Sequence, residues 1–166
     1  MRVALVVGGS GMLTKFCQQL AAEYDMIGVI GRTKDKMRTL NKLENIIPIY
    51  VDYTDTAALT ENLEAFVAHF GTPELTVSWI HATAPDATTT VASYCTGDFY
   101  EVTGHVNSDN HQLSKDHEAA LKDQDVSYHR IVLGASNGAW LTNEQISDGV
   151  QKAVQNGQTE QLIGEA

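Results

Sequence analysis

The stretch that decides the fold reads Val3-Ala4-Leu5-Val6-Val7-Gly8-Gly9-Ser10-Gly11-Met12-Leu13-Thr14, close to the start of a chain of 166 residues. Its continuous apolar run predicts a β-strand that is covered on both faces. After the glycines, apolar side chains recur at the three- and four-residue spacing of an amphipathic helix, up to Leu20. A buried strand, a glycine turn and a helix in this order indicate the start of a parallel α/β sheet.

The same alternation of strand and helix continues along the chain. Further strands are predicted at residues 26–30, 46–51, 75–81, 99–103 and 126–133, and helices at about 37–43, 59–70, 87–94, 113–121 and 141–154. We therefore expect a doubly wound α/β fold of the Rossmann type, with a mainly parallel six-stranded sheet in the order 3-2-1-4-5-6 and helices on both faces. Residues 1–156 are expected to form one domain, and the polar tail 157–166 is expected to fray.

The composition excludes several classes of function. Asp and Glu number 21 and Lys and Arg 11, so the formal charge of −10 argues against nucleic acids and anionic membranes as partners. No segment approaches the roughly 20 apolar residues that span a bilayer, and the apolar run at the start is too short for a signal peptide. Cys17 and Cys95 form no CxxC motif, and we expect reduced thiols and a cytoplasmic location. The histidines at 105, 111 and 117 are six residues apart, so no metal site is predicted.

The glycine turn itself is a candidate anion-binding site. Glycines tolerate unusual backbone angles and let a pyrophosphate approach the main chain, and the following helix offers free N–H groups. The predicted contacts are Gly8, Gly9, Ser10, Gly11, Met12 and Leu13. The alternative is a tight turn between strand and helix that binds nothing.

The end of the second predicted strand favours one form of a dinucleotide. An NAD-binding fold usually places Asp or Glu there to bind the ribose 2′-hydroxyl. This chain has Gly31-Arg32-Thr33 instead, with Lys34 and Lys36 nearby. The guanidinium of Arg32 suits a 2′-phosphate, so NADP(H) is favoured over NAD(H), with Arg32 and Thr33 as contacts. The alternative is a solvated surface arginine.

These features resemble the short-chain dehydrogenase/reductase superfamily, most clearly over residues 1–84. The resemblance rests on residues 8–13, on Gly31-Arg32 and on Asp52 in the run Val-Asp-Tyr-Thr-Asp. It implies that Asp52, with Tyr53 beside it, lies against the adenine, whereas its plainer role is that of a turn residue or a helix cap. The whole chain is also similar to small bacillus-type proteins called short-chain dehydrogenases, through the stretches at 79–85 and 140–146. A homodimer or homotetramer is implied by analogy.

The superfamily uses a Tyr-x-x-x-Lys pair as its catalyst, and this sequence departs from that pattern. None of the six tyrosines is followed by lysine four residues later. Candidate replacements lie where predicted strands end: His81, Thr103 and His105. A histidine there can exchange a proton near neutral pH, although a histidine bonded to backbone is the plainer alternative.

Other side chains are given plainer roles. Lys115 reaches the cleft only if the helix after the fifth strand is placed as in the superfamily. Nothing in the sequence indicates a depressed pKa for Cys95. Trp79 and Trp140 are predicted to be packing residues.

Two functions therefore remain open. One is an atypical NADP(H)-dependent oxidoreductase that acts on a small carbonyl or hydroxyl compound. The other is a non-catalytic dinucleotide-binding module that senses redox state. The missing Tyr-x-x-x-Lys pair favours the second, and the polar groups at the strand ends favour the first.

Overall fold

A computed structural model describes residues 1–8, 11–32, 37–38, 40–80, 84–104 and 108–165. The strands are β1 Val3–Val7, β2 Met26–Gly31, β3 Ile46–Tyr50, β4 Leu75–Ser78, β5 Gly97–Thr103, β6 Val126–Leu133, β7 Ala135–Ser136, β8 Ala139–Trp140 and β9 Glu160–Ile163. The helices are α1 Thr14–Ala21, α2 Thr56–Phe70, α3 Pro85–Ala92, α4 Ser108–Leu121 and α5 Asn143–Asn156.

Seven strands form one sheet in the order β3-β2-β1-β4-β5-β6-β9, and every neighbouring pair is parallel. The predicted order of the first six strands is confirmed. The expectation of a fraying tail is wrong, because Glu160–Ile163 pairs with β6 from Arg130 to Leu133. The open edge of β6 supplies main-chain partners that a polar sequence can use as well as an apolar one.

Helices cover both faces of the sheet, as the doubly wound prediction requires. On one face α1 and α5 pack together, with Phe16, Leu20 and Val150 in a shared apolar cluster. On the other face α2 and α3 bury Leu63 and Val91 in a second cluster. The chain must therefore cross from one face to the other, and the crossing point beside β1 creates the crevice where such folds bind ligands.

Two local features differ from the predicted elements. Where a helix is predicted at 37–43, the described residues form a 3₁₀ turn at Leu40–Lys42. After β6, a segment for which the sequence analysis predicts no element forms the antiparallel hairpin β7–β8. Asn137 and Gly138 at its tip have φ values of 52° and 76°, which fits a type I′ turn. The Asn-Gly pair is itself a hairpin signal that the prediction overlooked.

Caps define two helix starts. Asp55 Oδ1 accepts the Ala58 N–H of α2 at 3.1 Å, so Asp55 is the N-cap of this helix. Thr142 and Gln145 form a reciprocal capping box at the start of α5. Among the residues that the structure describes, none of the helices is long and apolar enough to cross a bilayer.

Candidate dinucleotide site

The glycine turn lies at the carboxyl edge of the sheet, directly after β1. Gly8 has a φ of +80°, and a Cβ at this position would lie 2.7 Å from the Trp79 carbonyl oxygen. The Gly8 N–H donates to the Ile30 carbonyl oxygen at 3.0 Å. Glycine is thus required here because a side chain would strike the end of β4. Gly9 and Ser10 lie outside the described residues.

Helix α1 begins without a side-chain cap at Leu13 and without an acidic residue in its first turn. The Thr14 hydroxyl donates to the Gly11 carbonyl oxygen at 2.9 Å, so it stabilises the turn from inside. A Cβ at Gly11 would meet no atom within 4 Å, which means that the turn is open on that side. Leu13 is fully buried and Met12 packs against the same apolar cluster. The Leu13 side chain is therefore inaccessible to a ligand, and that of Met12 is only partly exposed.

Arg32 and Asp52 come together at the ends of β2 and β3. Their Nη2 and Oδ2 atoms lie 3.1 Å apart, and both side chains are largely exposed, at 67% and 42%. Asp52 Oδ1 also accepts the Thr54 N–H at 3.0 Å and the Thr54 hydroxyl at 2.7 Å. These two hydrogen bonds, and then the charge of Arg32, hold the pKa of Asp52 below its usual value. Asp52 thus organises a turn and is not the cap of α2.

Tyr53 and Thr33 are the remaining predicted cofactor contacts. Tyr53 is partly buried against the apolar cluster that includes Ile49, next to the Arg32–Asp52 pair in the chain. Thr33 lies outside the described residues.

A cavity of about 540 Å³ separates the first turns of α1 and α5. It is lined by Gly11, Met12, Thr14, Lys15, Gln18, Asn143, Glu144 and Ser147. The Ser147 hydroxyl donates to the Met12 carbonyl oxygen at 2.9 Å. Lys15 Nζ lies 3.0 Å from Asp148 and 3.2 Å from Glu144, whose carboxylates raise its pKa. These bonds hold the start of α5 against the glycine turn.

The predicted catalytic residues are only partly placed. Thr103 is the last residue of β5, half-buried and paired in register with Val132. It therefore lies at the same sheet edge as the glycine turn. His81 and His105 lie outside the described residues.

Three side chains with plainer predicted roles, Cys95, Trp79 and Trp140, can be assigned. Burial raises the pKa of the Cys95 thiol to about 11, and the thiol donates to the Val91 carbonyl oxygen at 3.2 Å. That environment suits a structural thiol and not a nucleophile. Trp79 is partly buried against the core. Trp140 is 73% exposed, so the prediction that it is a packing residue is wrong.

A buried polar network was not foreseen from the sequence. Glu101 in β5 accepts the Tyr128 hydroxyl at 2.6 Å and is bonded through its other oxygen to Nδ1 of His117 in α4. Glu101 and His117 are both buried. The available signal was a glutamate inside an otherwise apolar strand, because such a position requires buried partners.

Helix α4 also carries a histidine and a lysine four residues apart. His111 and Lys115 stand four residues apart in this helix, the spacing of the Tyr-x-x-x-Lys pair. Lys115 is exposed. The helix follows β5, as the sequence predicts, and a role for Lys115 in the cleft stays a prediction.

No protein-family model matches this sequence, and no curated protein does. Solved structures match its fold. A short-chain dehydrogenase/reductase from Serratia marcescens BCRC 10948 has a TM-score of 0.70 at 16% identity, over 97% of this chain and 95% of that one. A metagenomic short-chain oxidoreductase in complex with NADP has a TM-score of 0.76 at 13% identity, over 99% and 97%. An NADH-dependent reductase, A1-R′, complexed with NAD, has a TM-score of 0.73 at 12% identity, over 99% and 94%. At this level of identity the likeness concerns the backbone, and the chain has the fold of the short-chain dehydrogenases/reductases.

Proposed function

We propose that this protein binds a nicotinamide dinucleotide, NADP(H) in preference to NAD(H), and is an atypical oxidoreductase for a small carbonyl or hydroxyl compound. The observation that carries the proposal is the turn between β1 and α1. Gly8 is confined by Trp79, Gly11 is open, and the helix behind them has no side-chain cap. Similar folds that hold NADP and NAD support the choice of ligand class.

The residues present fit such a ligand. A pyrophosphate would lie against residues 8–13, where main-chain N–H groups and the helix dipole favour an anion. The ribose 2′-phosphate would bind Arg32 and Thr33, and the adenine would lie near Asp52 and Tyr53. Arg32 is paired with Asp52 by a single exposed contact of 3.1 Å. An exposed ion pair of this kind is weak, so a phosphate can compete with Asp52 for the guanidinium of Arg32. Asp52 would then keep its two hydrogen bonds from Thr54.

When bound, the nicotinamide supplies a site that accepts or donates hydride. The chain must then move a proton to or from the substrate oxygen. His81, Thr103 and His105 are the candidates at the strand ends, and His111 with Lys115 is the candidate pair on α4. An imidazole titrates near neutral pH and therefore suits this role.

A non-catalytic binding module is the second candidate function. It is favoured by the lack of a Tyr-x-x-x-Lys pair in the sequence. Both functions share the dinucleotide site and differ only in turnover.

Titration calorimetry with NADP(H) and NAD(H) tests the binding proposal. Arg32→Ala should weaken NADP(H) at least tenfold more than NAD(H), because only NADP(H) carries the 2′-phosphate. Lys152→Ala, which removes an exposed cation from α5, is the matched control and should change neither affinity. Equal loss of both cofactors in Arg32→Ala would contradict the assignment of the 2′-phosphate.

Turnover separates the two candidate functions. A screen of carbonyl substrates with NADPH should show activity, and His81→Gln, Thr103→Val, His105→Gln and His111→Gln should identify the proton-transfer group. The responsible variant would lose turnover while its cofactor affinity stays the same. Binding without turnover across a broad panel would favour the non-catalytic module.

The subunit arrangement is a separate proposal. By analogy with the superfamily we propose a homodimer or homotetramer, and sedimentation velocity would test it. A monomer at micromolar concentration would contradict it.

A further inference from the structure

Trp140 is a large apolar side chain that is exposed to solvent at the carboxyl edge of the sheet. Among the described residues, the other exposed large hydrophobic side chains are Met1 and Leu162. Met1 precedes β1 and lies outside the sheet, and Leu162 lies on the edge strand β9, so both have ordinary reasons for exposure. Trp140 has none of this kind, and exposed aromatic side chains often mark a binding surface.

The hairpin that carries Trp140 is firmly attached. Trp140 pairs with Ala135 across the hairpin. Ala135 in turn exchanges two main-chain hydrogen bonds with Glu165, at 2.8 and 2.7 Å. The Gln145 side chain of α5 donates to the Ser136 hydroxyl at 3.4 Å. Hydrogen bonds therefore hold the backbone that carries the indole, so the hairpin needs little ordering when a ligand binds.

The position of Trp140 points to one end of a dinucleotide. A single residue separates the end of β6 from the start of the hairpin. Thr142, the N-cap of α5, comes two residues after Trp140. Helix α5 reaches the glycine turn through the bond from Ser147 to Met12. In a doubly wound fold the half that contains β4 to β6 holds the mononucleotide opposite the adenine. Trp140 thus lies in the half of the site that the nicotinamide would occupy.

A small open cavity lies against Trp140. It measures about 150 Å³ and is lined by Gly134, Ala135, Gly138, Ala139 and Trp140. Apart from Trp140, the lining residues are glycines and alanines, which leave room beside the tryptophan. An indole in such a place can offer a planar ring a stacking surface.

We propose that Trp140 stacks on the nicotinamide ring of the bound dinucleotide; this inference rests on the function proposed above. The oxidised ring carries a positive charge, and indole is the strongest aromatic partner for a cation. Trp140 therefore stabilises NADP⁺ more than NADPH, and the hairpin biases the protein toward the oxidised cofactor.

Three ligands and one variant test this inference. Trp140→Leu keeps an apolar exposed side chain and removes the aromatic face. By calorimetry it should weaken NADP⁺ about tenfold, weaken NADPH less, and leave 2′,5′-ADP unchanged because that fragment has no nicotinamide. Wild-type protein mixed with NADP⁺ should show a charge-transfer absorption band that Trp140→Leu lacks. Leu162→Ala, at an exposed apolar position on the edge strand β9, should behave as wild type.

The outcomes separate this inference from the proposed function. Unchanged NADP⁺ affinity in Trp140→Leu would overturn the stacking and leave the dinucleotide site in place. Equal loss of NADP⁺ and 2′,5′-ADP would also overturn it, since general damage to the site explains that result. A changed sedimentation coefficient with unchanged affinities would assign Trp140 to a contact between subunits instead. If wild-type protein binds none of the three ligands, the proposed function fails and this inference with it.

Discussion

Glu101 in β5 and His117 in α4 form a buried pair, joined through the glutamate carboxylate and Nδ1 of the imidazole. The second carboxylate oxygen accepts the Tyr128 hydroxyl from β6. This pair attaches α4 to the middle of the sheet. Because α4 carries His111 and Lys115, the buried bond also sets where those two residues stand relative to the end of β5.

Breaking the pair should be costly, because each variant removes a buried contact between two polar side chains that the other residue then lacks. We expect His117→Ala and Glu101→Gln each to lower the free energy of unfolding by about 3–5 kcal/mol. The double variant should lose less than the sum, because the contact between the two residues can be lost only once. Urea unfolding measures all three. Asp116→Ala, on the exposed side of the same helix, is the control and should stay within about 0.5 kcal/mol of wild type. Strict additivity would show that the two residues are not coupled.

Two glycines of the same turn should respond in opposite ways to alanine. Gly8→Ala places a Cβ 2.7 Å from the Trp79 carbonyl oxygen at a φ of +80°, and should destabilise the protein by about 2 kcal/mol or more. Gly11→Ala meets open space and should leave the melting temperature nearly unchanged. It should nevertheless weaken NADP(H), because its methyl group points away from the protein into the place where the ligand approaches. Full affinity in Gly11→Ala would argue that the pyrophosphate lies elsewhere.

Stability should fall at alkaline pH through a buried thiol. Burial raises the pKa of Cys17 from 9.0 to about 12. The unfolded chain therefore loses this proton first, so the contribution is complete below pH 9 and is lost as the pH rises toward 12. At pH 10.5 the contribution of Cys17 to this loss is about 2 kcal/mol. The buried thiol of Cys95, whose pKa is also raised, adds to the total that urea unfolding at pH 8 and pH 10.5 measures.

Cys17→Ala is the control for this pH dependence. The variant is less stable at every pH because it loses packing, but its stability should change less between pH 8 and pH 10.5. The native protein should also react slowly with a thiol reagent at pH 8 and yield both cysteines only after unfolding. Identical pH slopes for the variant and the wild type would assign the alkaline loss to other groups.

Strand β9 should be required for stability even though it is polar. Deleting residues 158–166 removes the parallel pairing with β6 and the partner of Arg130, whose guanidinium is buried and lies 3.6 Å from Glu160. The exposed edge and the uncovered cation should lower the melting temperature by several degrees and promote association of the sheet edges. Leu162→Ser, which changes an exposed side chain and keeps the strand, should have little effect. An unchanged melting temperature after the deletion would mean that β9 is dispensable.

Local patterns determined most of the framework. The apolar run at residues 3–7 is buried along its whole length in the sheet, so its composition alone identifies an interior strand. In β6 the apolar end, residues 131–133, is buried in the same way. The caps at Asp55 and Thr142 were predictable for the same reason, since a helix start needs a partner within three residues. The glycine turn belongs to this class, because its backbone conformation depends on neighbours in the chain.

Only the tertiary structure decided the features whose partners are distant in sequence. Glu160–Ile163 becomes a strand because β6 has an open edge, and nothing in those four residues specifies that edge. Glu101 meets His117 across 16 positions, and the exposure of Trp140 follows from how the hairpin leaves β6. The sequence by itself determined the interior strands and the turn at β1, because both follow from short-range patterning. The order of the first six strands followed from the doubly wound fold type that this patterning indicates, with its right-handed parallel connections. Pairing at the sheet edge, buried polar contacts and exposure depend on the packed chain, because each is a property of surfaces that exist only after folding.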